Sequence, residues 1–260
     1  MATYNKRGYK APKEKEEKEG AYIEDIKVDE KDSTTAGVFN SLDQTASKTE
    51  EWVARNQKYI FGVVAVIALV TVSYLMYQKF IVQPKEDEAA TEIFDAQQNF
   101  QKAVDATTNA DSLFNLCLKG SKGSLGFVEI ADKFSGTSAG NLANYYAGIS
   151  YLNTGKYDEA ITSIEKFKSD DMILSVLAVG AVGDAYAQKK QPNEALERYI
   201  KASEMNKNDM TTPRFLLKAG QLSLAVGKKA EALKYFTEIK EKYESSPEGS
   251  SVDALIGLAQ

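Results

Sequence analysis

From Tyr59 to Gln78 the chain carries no charge, and Phe80, Ile81 and Val82 prolong the apolar run past Lys79. About 20 such residues, at 1.5 Å rise each, match the hydrocarbon core of a bilayer. Tyr59 stands at one end and Tyr74 and Tyr77 at the other, where amphipathic rings meet the lipid headgroups. The pattern therefore predicts one transmembrane helix over 59–82, with Pro84 marking a break. Gly62, Ala65 and Ala68 are small, but their spacing forms no GxxxG pairing motif. Residues 1–36 are polar and mixed in charge around the run Lys13 to Glu19, with no apolar period, and read as a disordered cytoplasmic tail. No apolar core lies near Met1, so residues 1–36 are not expected to act as a signal peptide. Over 37–58, Phe39, Leu42, Ala46, Trp52 and Val53 recur at helical spacing, and Ser41 or Ser47, with Glu50, fits a capping box. This stretch is expected to be an amphipathic juxtamembrane helix. It is read as lying on lipid, with docking to a partner as the alternative.

Residues 86–260 show helical periods and little strand-like alternation. Breaks fall near Thr107–Asp111, Gly120–Gly123, Ser135–Gly140, Ser169–Asp171, Asn206–Asp209 and Ser245–Gly249. Phe94, Phe100 and Val104 mark one expected helix face; Phe127, Ile130 and Phe134 mark another. Small and aromatic residues then repeat. Gly148, Tyr151 and Ala160 are followed by Gly183, Tyr186 and Ala195, and then by Gly220, Ala232 and Phe236. The glycines are 35 and 37 residues apart, a solenoid-like period. The glycines and alanines are placed where two helices of a hairpin come too close for large side chains. Tyr151 and Tyr186 would fill the space between hairpins. Ser223 stands where a third tyrosine is expected, and the stretch 251–260 is expected to cap the end. The fold class is all-α.

Composition narrows the chemistry. A hydrophobic fraction of 43% supports a folded core, and a net charge of −5 argues against nucleic acid as a partner. The absence of histidine removes the commonest general base and zinc ligand. Cys117 is the one cysteine and reads as a small buried side chain. No P-loop, nucleophile elbow, HExxH or CxxC occurs, and Asp170–Asp171 reads as solvated loop charge. No enzyme, metal, cofactor or small-molecule substrate is expected.

The repeating positions resemble the tetratricopeptide repeat. That resemblance implies a helical solenoid over about 141–245 in which the first helix of each hairpin lines a protein-binding groove. It places Tyr145, Ile149 and Leu152, then Asp184, Ala187 and Gln188, then Leu217, Gln221 and Leu224 toward that groove. The set lacks a Lys/Arg clamp, so apolar extended or helical segments are the expected ligands. Lys48, Arg55 and Lys58 precede the span, while Lys79 and Lys85 follow it with Glu86, Asp87 and Glu88. This bias favours a cytoplasmic N-terminus. The layout of tail, span and repeat domain is similar to the bacterial ancillary SecYEG translocon subunit family. The resemblance implies an inner-membrane protein with periplasmic repeats that neighbours the Sec channel and a periplasmic peptidyl-prolyl isomerase-type chaperone and passes secreted clients onward. A structural scaffold in another envelope assembly, such as an export or motility machine, is the alternative, and a reversed topology with cytosolic repeats is a third reading.

Overall fold

The computed structural model describes residues 34–260, so the expected tail lies outside the described residues apart from its last three, which are helical. The chain divides into two units, Met1–Val70 and Thr71–Gln260. Helix α1 (Thr34–Tyr77) carries the described part of the first. Ser41 and Ser47 lie inside it, so neither caps a helix start, and the expected boundary between 58 and 59 shows no break. From Phe61 to Tyr77 every residue is exposed.

In the second unit Pro84 does not end the helix. A π-turn over Gln78–Val82 leads directly into α2 (Gln83–Asp105), with Pro84 in its first turn. Proline lacks the N–H and crowds the carbonyl four residues back. The wider π-turn is a known way to absorb such a misfit. The charges after the span then have structural work. Glu86 accepts from the Ser138 N–H at 3.0 Å, Lys85 donates to the Ser135 carbonyl at 3.0 Å, and Lys133 pairs with Glu88 at 2.9 Å. They pin the start of α2 to a corner fifty residues away.

α2 packs on α3 (Ala110–Lys119) and α5 (Ser138–Asn153), with α4 (Phe127–Lys133) completing the group. The break at Gly120–Gly123 is a minimal hairpin, β1 (Gly120–Ser121) against β2 (Ser124–Leu125). α2 buries Ala89, Ile93, Ala96 and Ala103, with Phe100 packed beside them. The expected face is therefore corrected: Phe94 and Val104 are 58% and 54% exposed. Phe100 meets Phe114, Phe127 and Tyr146 edge-on at 5.7, 6.1 and 5.0 Å between centroids. Phe127, Ile130 and Phe134 are buried as expected.

Three helical hairpins follow: α5 with α6 (Tyr157–Lys166), α7 (Leu174–Gln188) with α8 (Pro192–Met205), and α9 (Thr212–Ala225) with α10 (Lys229–Lys242). The last helix, α11 (Val252–Ala259), packs on α10 and buries Val252 and Ala259, covering the final apolar face as expected. The result is an all-α, tetratricopeptide-repeat-like helical solenoid.

The repeating residues do what their size dictates. A Cβ at Gly148, Gly183 or Gly220 would lie 2.2 Å from Ile164, 2.7 Å from Tyr199 or 2.4 Å from Phe236 of the same hairpin. Ala160, Ala195 and Ala232 have no exposed surface. Tyr151 packs against both the first and second core clusters, and Tyr186 against the second and third. Where Ser223 replaces the third tyrosine, Tyr235 of α10 bridges the third and fourth clusters instead. Ser223 is buried, and its hydroxyl has no hydrogen-bond partner among the described residues.

The three hairpin turns are also equivalent. Lys156 N–H reaches the Tyr151 carbonyl at 2.9 Å, Gln191 N–H that of Tyr186 at 3.0 Å, and Lys228 N–H that of Ser223 at 2.8 Å. These are the six-to-one bonds of a Schellman ending, which needs a left-handed residue just before. Gly155 and Gly227 supply it at φ 73° and 81°, but the second turn uses Lys190 at φ 59°. A side chain there costs about 1–2 kcal/mol of steric strain, partly offset by the lower backbone entropy of a non-glycine chain when unfolded. Lys190→Gly is therefore expected to stabilise the domain by about 0.5–1 kcal/mol, read as a higher thermal midpoint.

Asp171 is more than solvated charge. Its carboxylate accepts the N–H groups of Ile173 and Leu174 at 2.8 and 2.7 Å, at the start of α7. Those bonds, first from Leu174 and then from Ile173, hold its pKa below the ordinary aspartate value. A depressed carboxyl pKa gives stability that is full above the unfolded value and lost as pH falls through the folded one. Melting the protein from neutral pH downward should show Asp171→Asn losing less stability than the parent across that acid window, from a lower starting midpoint.

Candidate protein-binding groove

The nine groove positions lie on α5, α7 and α9, the first helices of the three hairpins. Tyr145, Ile149 and Leu152 are half-buried, pack against the second cluster and keep part of each side chain open. Ala187 does the same against the third cluster, and Leu217 and Leu224 against the fourth. Gln188 and Gln221 are exposed. The row is thus apolar, interrupted by amides, with each apolar member anchored from behind.

Asp184 is not a free polar group. Its carboxylate takes Lys218 Nζ at 2.5 and 2.7 Å and the Tyr199 hydroxyl at 2.8 Å. Burial, then the nearby Asp184 charge, raises the Tyr199 phenol well above its ordinary value, so it stays a donor. Lys218 also stands over the Tyr199 and Phe215 rings, 5.6 and 5.9 Å from their centroids. The pair is about one-third exposed on each side. It ties the first helix of one repeat to that of the next, and its two charges neutralise each other. Sequence reading placed Asp184 here but missed Lys218. The spacing of 34 residues, nearly one repeat, was the available signal.

Two further features escaped the pattern. Gly180 lies under the Phe215 ring of the next repeat, which a Cβ would approach to 2.0 Å. Asn141 grips the backbone of residue 168, donating to its carbonyl at 2.6 Å and accepting its N–H at 3.0 Å. That clamp holds the 167–173 connection beside Tyr145, whose ring lies 5.3 Å from that of Phe167. Burial raises the Tyr145 phenol, with Tyr146 adding to the rise and Arg214 opposing it. Cavities of about 310 and 350 Å³ open elsewhere, lined mainly by α4 to α6 and by α6 to α8.

Comparison with known proteins agrees with this frame. A family model described as tetratricopeptide repeat matches residues 142–171, which hold most of α5, all of α6 and part of the connection after it. Searches of curated proteins and of solved structures return no match. Tetratricopeptide repeats are protein-interaction scaffolds, typically without catalytic activity. The chain presents such a scaffold: an all-α repeat array whose first helices carry a row of half-open apolar side chains.

Proposed function

We propose that the protein is a membrane-anchored, non-catalytic scaffold that holds polypeptide segments along α5, α7 and α9. The observation that carries the reading is the row from Tyr145 to Leu224: apolar, half-open, and with its Asp184 and Lys218 charges internally neutralised. Such a surface gains little from a charged ligand and favours apolar segments, whose burial contributes about 25 cal/mol per Å² before the costs of association and ordering are subtracted. The anchor reading rests on the uncharged stretch 59–78, which is helical and carries no buried residue. In the finer reading the span lies in a bacterial inner membrane, with the N-terminus cytoplasmic and the repeats periplasmic. The protein then serves as an accessory of the Sec channel, receiving secreted clients and handing them to a periplasmic peptidyl-prolyl isomerase-type chaperone. Alkaline carbonate should leave the protein in the membrane pellet, and purification in mild detergent should recover the Sec channel or the isomerase. A fixed, stoichiometric complex containing neither would favour a scaffold in another envelope machine.

A further inference from the structure

Within the first unit, α1 is helical without interruption from Thr34 to Val70, so the stretch before the apolar run shares its axis. A helix lying in the plane of the lipid surface must turn away from a span, and no turn is present. Charge points the same way. Between Val38 and Lys58, Asp43, Glu50 and Glu51 balance Lys48, Arg55 and Lys58. Helices held on lipid draw instead on an excess of cations.

What this stretch carries is a seam. Leu42, Ala46, Thr49, Val53, Asn56 and Ile60 follow one another at alternating steps of four and three, and Phe39 extends the series by three. These are the a and d positions of successive heptads, a period of 3.5 that selects a supercoiled partner helix. Lys48, Glu51, Arg55 and Lys58 fall on the opposite c and f positions. Leu42 and Val53 are 60% and 43% exposed, and a lone helix is marginal without a packed face.

We propose that this seam pairs in parallel with the same seam of a second copy of the chain. The flanking charges select that arrangement. In a parallel pair Thr45 meets Glu50 and Trp52 meets Gln57, so no carboxylate faces another. In an antiparallel pair that overlaps the whole seam, Glu50 of one copy would oppose Glu50 of the other. Asn56 enters the seam with its amide already donating to the Trp52 carbonyl at 2.8 Å. The proposal rests on the anchor reading only in drawing both copies from one membrane, which also sets them parallel.

The test is disulfide trapping in the full-length chain, in its own membranes, with Leu42→Cys, Val53→Cys and Glu51→Cys made singly. The native Cys117 is 1% exposed and burial pushes its thiol up to about 11, so it stays silent. The expected result is a disulfide dimer of twice the chain mass from the two seam variants. Glu51→Cys should stay monomeric, because residues more than about 7 Å apart are not bridged. Equal dimer from all three, dimer from none, or an adduct with a different protein overturns the proposal. Carbonate extraction of the same membranes reports on the anchor separately, so the two failures are distinguishable.

Discussion

Replacing Phe236 with alanine lowers the stability of the repeat domain by about 3–5 kcal/mol and its thermal midpoint by roughly 10 °C. Phe236 has no exposed surface and sits in the fourth cluster with Leu216, Ala232 and Ile239. Its ring fills the space that Gly220 leaves open, where a Cβ would stand only 2.4 Å away. Gly220, which faces the ring, has no side chain to fill the cavity that truncation leaves, so both the transfer and the cavity costs apply. Phe94→Ala is the control. Its ring is 58% exposed, and its loss should stay within about 0.5 kcal/mol. Circular dichroism melts of the detergent-purified protein measure both.

Gly180→Val carries the second large effect, and it acts between repeats. Even a single Cβ at Gly180 would lie 2.0 Å from Phe215, and the Phe215 ring is 2% exposed. The ring has nowhere to rotate, because it stacks on Tyr199 at 6.4 Å and carries Lys218 over its face. Overpacking of this kind costs about 1–3 kcal/mol, with more where the backbone has to move. The variant should also loosen the Asp184–Lys218 bridge, since Phe215 and Lys218 share one turn of α9. The expected readout is a lower midpoint together with faster amide exchange across α7 and α9. Phe215→Leu in the same background should recover part of the loss.

These two residues show what the sequence made legible. Gly148, Gly183 and Gly220 could be read because their partners, Ile164, Tyr199 and Phe236, lie at one constant offset within the same hairpin. Size alone then announces the close approach. Gly180 and Lys218 could not be read so directly, because each is explained by a residue of the neighbouring repeat. Lys190 hid for a different reason: nothing in its side chain signals the left-handed backbone that Gly155 and Gly227 make obvious. The face of α2 was misjudged because Phe94 and Val104 outweigh alanine in any apolar count. Close packing on α3 and α5 instead selected Ala89, Ala96 and Ala103. Pro84 was read as a stop, and the π-turn before it shows how a helix continues past a missing N–H. For the candidate groove, the repeat spacing made legible that the nine positions fall on the first helices α5, α7 and α9. The internal neutralisation of Asp184 by Lys218 and Tyr199 was not legible, and it is what turns the row into an apolar surface.

The central claim is that this row receives polypeptide. Photocrosslinking amino acids placed at Ile149 and Leu224, and at Thr162 and Lys201 on the second helices α6 and α8, test it in intact membranes. The account predicts adducts with other polypeptides from Ile149 and Leu224 and few from Thr162 and Lys201. Adducts confined to Thr162 and Lys201, or equal at all four positions, would contradict it.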